Sequence, residues 1–309
     1  MPDEQASTGG DGDERSNRQR FAEAAREERP DLALLCLLIG VEAATVPSGR
    51  VRAGVRHAPV DVAADESGVL DAQIELDRLA GLLPYAPART PERWATELRR
   101  LLGEEMGFRG NPDDYRRLES SLLQSVLKLR RGLPILLSVV WTEVARRAGA
   151  PVYGVGLPGH FVVGFGDPGD AGGAQAFADP YDGGRLLHAG ELEAVVAGAT
   201  GSPTALSPAM LQPAGPLDIV LRILNNIRAW AAARPEHSSV QLWALELSLL
   251  LPRHPARLRY ELGQLLVERG DFPGGAAEME EYAEAVAQVE PETAEAVHKA
   301  AHAARARLN

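Results

Sequence analysis

His160 and Asp179 are the two residues of this chain whose types and spacing best fit catalytic chemistry. His160 opens the apolar run HFVVGF after the turn residues LPG, and Asp179 ends the run AQAFAD. If these runs form a hairpin in simple register, Phe165 lies opposite Ala174 and His160 opposite Asp179, within side-chain contact range. A carboxylate fixes the tautomer of an imidazole and raises its basicity, so this pair predicts a general base.

A structural role for the same pair has equal weight. Asp179 is also the first residue of the turn DPYDGG, where an aspartate commonly accepts hydrogen bonds from backbone amides. A single histidine at a turn-to-strand junction is usually structural, so the pairing alone leaves both interpretations open.

The elements that must position the pair are a buried helix and a small sheet. Residues 134–148 are apolar on nearly every face, which predicts a helix at the centre of the core that ends at Gly149. Pro134 is a favoured first helical residue. Three strands are predicted over the runs PVYGVG, HFVVGF and AQAFAD, with Gly159 in the turn between the first two.

Helices are predicted for most of the remaining chain, which gives an α+β fold. Helical spacing covers residues 31–44, 69–83, 91–102 and 113–129 before the strands, and five further segments after the connector TGSPTALSPAMLQPAGP. The run RYELGQLLVERGDFPGGAAEMEEY resembles a tetratricopeptide unit in which Gly263 permits close helix contact. One such unit is too few to be stable alone, so the C-terminal helices are expected to dock against the core.

Four regions are therefore predicted. They are a disordered tail at 1–26, a helical region at 27–110, an α+β core at 111–200 and a helical C-terminal region at 217–309.

Composition limits the classes of function. The 309 residues carry a net charge of −11, which disfavours nucleic acid and anionic lipid as partners. The N-terminus has no apolar signal segment, and no apolar run is long enough to span a membrane. Cys36 is the only cysteine and lies in an apolar helix, so it is expected to be a core residue in a reducing, cytoplasmic compartment.

The arrangement of helix and strands resembles papain-like and transglutaminase-like enzymes. Those enzymes place a cysteine at the start of a buried helix, and a histidine and an aspartate on adjacent strands. Here GLP opens the helix and GAP closes it, so Pro134 falls at the position of the cysteine. The resemblance implies that His160 and Asp179 correspond to the catalytic histidine and aspartate.

A closer resemblance is to the SirB family of bacterial transglutaminase-like proteins. The runs GNPDDY, VLKLRRGLPILLS, GVGLPGHFVV and ADPYDGGRLL carry it, over about residues 31–187. Two departures are Ser120-Ser121, where the family has Asn-Ser, and the missing Arg-Asp-Arg-Gly run before the tetratricopeptide-like unit.

Other residues are weaker candidates. Ser138 lies one helical turn after Pro134 and is a possible replacement nucleophile, although a serine within a helix more often bonds the carbonyl one turn back. Tyr153, Gly159 and Tyr181 are candidate residues lining a groove.

No metal or other cofactor is predicted. Asp182 and His188 could join His160 and Asp179 as metal ligands, but their spacing matches no known metal-binding motif.

Three functional hypotheses follow. The first is a pseudoenzyme that binds a protein or peptide in the groove that its enzymatic relatives use for catalysis. The second is a hydrolase or acyl-transferase in which His160 and Asp179 activate water or Ser138. The third is a scaffold that acts only through the C-terminal helices. The missing cysteine favours the first, because an acid–base pair without a nucleophile has no covalent step to assist.

Overall fold

The computed structural model describes residues 16–45, 66–84, 88–170, 173–201 and 205–307, and its α+β architecture agrees with the fold class predicted from the sequence. Within these residues the helices are α1 Asn17–Ala25, α2 Leu32–Thr45, α3 Glu66–Gly81, α4 Pro91–Leu98, α5 Leu123–Leu129, α6 Pro134–Arg147, α7 Ala189–Thr200, α8 Pro216–Ala232, α9 Ser238–Leu250, α10 Arg257–Glu268, α11 Phe272–Val286 and α12 Pro291–Ala306. The strands are β1 Val152–Leu157, β2 His160–Phe165, β3 Ala176–Asp179 and β4 Arg185–Leu187.

The four strands form one antiparallel sheet in the order β1-β2-β3-β4. The first three strands agree with the prediction, whereas β4 was not predicted from the sequence. The predicted register between β2 and β3 is wrong by two residues, because Phe165 pairs with Ala176 and not with Ala174. A shift by an even number leaves each side chain on its predicted face, since strand side chains alternate with a period of two.

Helix α6 lies at the centre of the main core, as its sequence predicts. Eleven of its fourteen residues are buried, including Trp141 at 0% exposure. It packs against β1 and β2 on one side and against α2, α3 and α5 on the other. Gly149 follows the helix with a φ of 84°, a left-handed conformation that glycine adopts without strain.

Part of the segment predicted to be a disordered tail is helical. Residues 17–25 lie inside the predicted tail but form α1, while residues 1–15 lie outside the described residues. The signal that was overlooked is a capping box, in which Ser16 and Gln19 each accept a hydrogen bond from the other's backbone amide. Phe21 is fully buried in the main core and anchors this helix.

The helix predicted over residues 113–129 is broken into two short 3-10 segments, Pro112–Arg116 and Leu118–Ser121, followed by α5. Arg117 and Leu122 have extended backbone conformations that interrupt it. The buried carboxylate of Asp114 holds the first segment in place, because it accepts a hydrogen bond from the amide of Asn111 and forms an ion pair with Arg131.

One hydrophobic core joins most of the chain. Its buried residues run from Phe21 in α1 to Leu251 after α9, so the N-terminal helices, the sheet and α8–α9 share it. The other face of the sheet is covered by α7, with Leu192 and Val196 packed in a second cluster. The expected docking of the C-terminal region therefore takes place through α8 and α9.

Helices α10 to α12 continue from α9 as a stack. Gly263 of α10 and Gly275 of α11 lie in close contact, because a Cβ atom on Gly263 would stand 2.8 Å from the carbonyl oxygen of Gly275. This agrees with the close helix contact expected at Gly263. Gly270 makes the turn between the two helices with a φ of 91°.

None of the described helices combines the length and the apolar sequence that a membrane crossing needs.

Candidate functional site

The hydrogen bond between His160 and Asp179 forms the centre of the candidate site. Nε2 of His160 lies 2.9 Å from Oδ2 of Asp179, and the two side chains are 15% and 8% exposed. The contact is diagonal across β2 and β3 because of the two-residue register shift, but both side chains stay on one face and within reach. The predicted side-chain contact is present, although the two residues are not directly opposite each other as the sequence suggested.

Asp179 also has the turn role that the sequence suggested. Its Oδ1 accepts a hydrogen bond from the backbone amide of Tyr181, at 2.9 Å. One carboxylate thus orients the imidazole with one oxygen and the Pro180–Asp182 3-10 turn with the other. The two interpretations of Asp179 are therefore compatible.

Two tyrosine rings connect the pair to the surface. The Tyr181 ring meets the imidazole of His160 edge-on at a centroid distance of 6.1 Å, and the Tyr115 ring lies 6.3 Å beyond Tyr181. Burial raises the pKa of Tyr181 to about 12, and nearby Tyr115 and Asp114 add to the effect. The pKa of Tyr115 is also raised, by burial and then by the negative charge of Asp179. Both phenols therefore stay protonated at neutral pH and can donate hydrogen bonds.

Arg222 of α8 fixes the turn that carries His160. Its Nη2 donates to the carbonyl oxygens of Leu157 at 2.8 Å and His160 at 2.7 Å. Its guanidinium carbon lies 5.4 Å from the centroid of the Phe161 ring. Burial lowers the pKa of Arg222 from its usual high value, and none of the ion pairs among the described residues includes it.

The start of α6 contains proline and no nucleophile. Pro134 is the first residue of the helix and is buried, as predicted. The preceding residue, Leu133, donates its backbone amide to the carbonyl oxygen of Ser120 at 2.9 Å. Ser120 and Ser121, where the SirB family has Asn-Ser, are both buried beside this helix start.

Ser138 is not positioned to act as a nucleophile. It is 0% exposed, and its hydroxyl donates to the carbonyl oxygen of Phe161 at 3.3 Å. The hydroxyl therefore joins α6 to β2 inside the core and does not open onto a cleft. Its actual acceptor lies on a strand, not one turn back in the helix.

Of the three residues expected to line a groove, two lie at the pair and one does not. Tyr181 contacts His160. Gly159 immediately precedes His160 in an exposed turn, where the φ of the glycine is 67°. Tyr153 is the exception, because it pairs with Gly164 at the far end of β1 and is packed in the second cluster at 8% exposure.

Asp182 and His188, the additional residues considered as metal ligands, make local contacts. Asp182 forms an ion pair with Arg185 at 2.6 Å, and the amide of His188 donates to Glu191 at the start of α7. Within the described ranges, no group of three or more histidine, cysteine or acidic residues is arranged to hold a metal ion.

Tyr115 and Arg222 are two residues near the pair that the sequence did not predict. Tyr115 was assigned to a continuous helix, and the break at Arg117 instead leaves its side chain 53% exposed beside Tyr181. Arg222 is 62 residues from His160 in sequence, and no local pattern links them. The run GNPDDY was the one signal that pointed towards Tyr115.

Comparison with known proteins identifies relatives of the chain. The sequence profile of the transglutaminase-like superfamily matches residues 71–225. A UPF0162 protein of Xylella fastidiosa strain Temecula1 is 32% identical over 230 residues, which cover 72% of this chain and 80% of that protein. A UPF0162 protein of Pseudomonas aeruginosa is 32% identical over 162 residues, or 52% of this chain and 57% of that protein.

More distant similarities are weaker. Mouse F-box only protein 21 is 24% identical over 176 residues, which cover 53% of this chain and 27% of that protein. Among solved structures, menin aligns over 86% of this chain and 68% of its own, with 13% identity and a TM-score of 0.39.

Proposed function

Because the chain belongs to the transglutaminase-like superfamily and is related to the SirB-like UPF0162 proteins, we propose that it is a pseudoenzyme that binds a peptide segment of a protein partner beside His160. The observation that carries the proposal is the intact His160–Asp179 hydrogen bond in a core whose central helix begins with Pro134. Such a site keeps the means to bind and orient a peptide without a residue that could attack it.

The other possible nucleophiles do not replace the missing cysteine. Cys36 is 2% exposed within α2, and burial raises the pKa of its thiol, with a further contribution from the negative charge of Glu143. Its thiolate is therefore not available at neutral pH. Ser138 is enclosed between α6 and β2.

The side chains around the pair are of the types that dominate protein recognition. Tyr115 and Tyr181 present large rings with few rotatable bonds, and tyrosine and arginine are enriched at binding hot spots. Their protonated hydroxyls offer donors to the carbonyl groups of a bound peptide. The exposed turn at Gly159 leaves room for a main chain to approach His160.

We also propose that the partner is a protein in the cytoplasm. The net charge of −11 disfavours phosphate backbones and anionic lipid surfaces, and a single unpaired cysteine fits a reducing compartment. The α10–α11 hairpin is proposed to be a tetratricopeptide-like unit, supported by the close approach of Gly263 and Gly275.

Peptide selection tests this function. A library of random peptides, fused to the phage coat protein through their N-termini so that their C-terminal carboxylates are free, is selected against the immobilised full chain, and the affinities of enriched peptides are then measured in solution. We expect His160→Ala and Tyr181→Ala to weaken binding at least tenfold. The matched controls His254→Ala and Tyr260→Ala, which lie outside the site, are expected to bind as wild type does. Failure to enrich any peptide, or equal binding by all four variants, would refute the proposal.

A second candidate function is hydrolysis with water as the nucleophile. The His160–Asp179 distance of 2.9 Å favours it, because an oriented imidazole can remove a proton from water. The test is release of nitrophenol from p-nitrophenyl esters by wild type, His160→Ala and His254→Ala. Turnover that only His160→Ala abolishes would favour hydrolysis over binding.

A further inference from the structure

A cavity of about 290 Å³ lies beside the candidate site, between the broken helical segment at 112–121 and α8. Its lining combines charged, aromatic and amide side chains: Tyr115, Arg117, Ser121, Leu133, Asn226, Ala229, Trp230 and Arg234. Leu133 immediately precedes Pro134, and Tyr115 contacts Tyr181. The cavity therefore adjoins the start of α6. It also adjoins Tyr115, whose ring contacts Tyr181 beside His160.

The charged residues that line the cavity are both positive. Arg234 donates to the carbonyl oxygen of Trp230 and lies over its ring, and it forms no ion pair with another described residue. Arg117 forms an ion pair with Glu119 at 3.9 Å, and both side chains are more than a third exposed, so this pair is weak. Among the residues that the structure describes, none that lines the cavity is acidic, although the chain as a whole has a charge of −11.

The rest of the lining has two parts. Asn226 and Ser121 supply neutral hydrogen-bonding groups, whereas Trp230, Leu133 and Ala229 supply apolar surface. Arginine recognises carboxylates through paired N–H donors, so Arg117 and Arg234 fit a carboxylate of the ligand. The apolar surface fits a ligand side chain adjacent to that carboxylate.

We propose that this cavity binds the C-terminal carboxylate of a peptide whose last side chain is apolar, which deepens the proposed function and depends on it. Its volume is at the lower limit of small-molecule sites, roughly 300–1,000 Å³, so it suits a chain end better than an extended segment. Capture of a terminal carboxylate is a known mode of peptide recognition. From the cavity, the bound chain runs over Tyr115 and Tyr181 towards His160.

Matched peptides test this specificity on the full chain. Fluorescein-labelled hexapeptides of one sequence ending in leucine are prepared as the free acid and as the C-terminal amide. A third peptide is amidated and carries glutamate in place of the leucine. We expect the free acid to bind at least tenfold more tightly than both amides, and added salt to weaken its binding.

Substitutions locate the site. Arg117→Ala and Arg234→Ala are expected to weaken binding of the free acid at least tenfold, while Arg116→Ala, a neighbouring arginine that does not line the cavity, stays within twofold of wild type. Thermal unfolding of each variant checks that the fold is retained, and Arg234→Lys gives a second measurement if Arg234→Ala unfolds.

The possible outcomes separate this inference from the proposed function. Equal binding of free acid and amide overturns the inference, and so does a glutamate amide that binds as well as the free acid. In either case, peptides from the phage selection can still bind with an affinity that His160→Ala lowers. The proposed function, peptide binding beside His160, then stands, and only the specificity for a terminal carboxylate is refuted. If no peptide binds at all, both proposals are refuted.

Discussion

The amide of Gly110 donates a hydrogen bond of 2.8 Å to the carbonyl oxygen of Tyr181, and no side chain fits between the two residues. A Cβ atom on Gly110 would stand 1.8 Å from the Tyr181 ring. This contact holds the ring against His160, so the position of Tyr181 depends on a glycine far from it in sequence.

Gly110→Ala is therefore predicted to displace Tyr181. We expect a loss of about 1–3 kcal/mol in the free energy of unfolding, as for other overpacked sites, together with weaker peptide binding. Urea denaturation and peptide titration measure the two effects. Gly81→Ala is the control, because nothing lies within 4 Å of a Cβ there and the change at this exposed end of α3 should be neutral or slightly stabilising. A fully stable Gly110→Ala that binds normally would contradict the account.

Arg222→Ala is predicted to loosen the β1–β2 turn. It leaves the carbonyl oxygens of Leu157 and His160 without their charged donor, at a cost of about 2 kcal/mol. Urea denaturation measures the loss, and amide hydrogen exchange should be faster around residues 157–161. Arg253→Ala removes an exposed arginine and should change stability by less than about 0.5 kcal/mol. Equal stability of the two variants would argue against a structural role for Arg222.

Glu75 is predicted to make stability depend on pH. Hydrogen bonds from Arg78 and then Arg130 lower its pKa from 4.5 to about 2, although partial burial opposes the effect. Because the folded-state pKa is depressed, its contribution is complete above about pH 4.5 and is lost as the pH falls towards 2. Glu75→Gln should thus be less stable than wild type at pH 7, and the difference should disappear near pH 2.

The control for this measurement is Glu295→Gln. Glu295 is fully exposed in an i,i+4 pair with Lys299, and such pairs contribute little to stability. A difference between wild type and Glu75→Gln that does not change between pH 7 and pH 2 would contradict the assignment.

Pro134→Cys tests the correspondence between the start of α6 and the nucleophile position of the superfamily. A thiol there gains from the helix N-terminus and is expected to react with iodoacetamide, whereas Cys36 stays unreactive in the folded chain. In the double variant with His160→Ala the alkylation rate should fall at least tenfold. Peptide mass mapping identifies the modified position. If the rate does not depend on His160, the two positions do not form one site.

The His160–Asp179 contact could be predicted from the sequence even though the predicted strand register was wrong. The register was wrong by two residues, but an even shift kept both side chains on one face and within diagonal reach. A one-residue error would have separated them. The buried helix α6 was equally predictable, because its start and end signals and its apolar sequence agree.

The parts that sequence could not predict depend on long-range contacts. Tyr115 lies at the site because the expected helix is interrupted at Arg117, and the ion pair between Asp114 and Arg131 holds the segment that carries it. Arg222 reaches it only because α8 packs against the core. Tyr153 was predicted to line the groove but lies far from His160. The alternation of side chains shows which face of a strand a residue occupies, but it does not show at which end of the strand a site lies.

The most direct test of the central claim is to measure binding and chemistry in one sample. A peptide from the phage selection is incubated with the wild-type chain, and its bound fraction, the intact mass of the protein and the mass of the peptide are then followed over hours. We predict saturable binding that His160→Ala weakens at least tenfold, with no mass added to the protein and no cleaved peptide. A covalent adduct, or peptide cleavage that requires His160, would show that the chain is an enzyme and contradict the account.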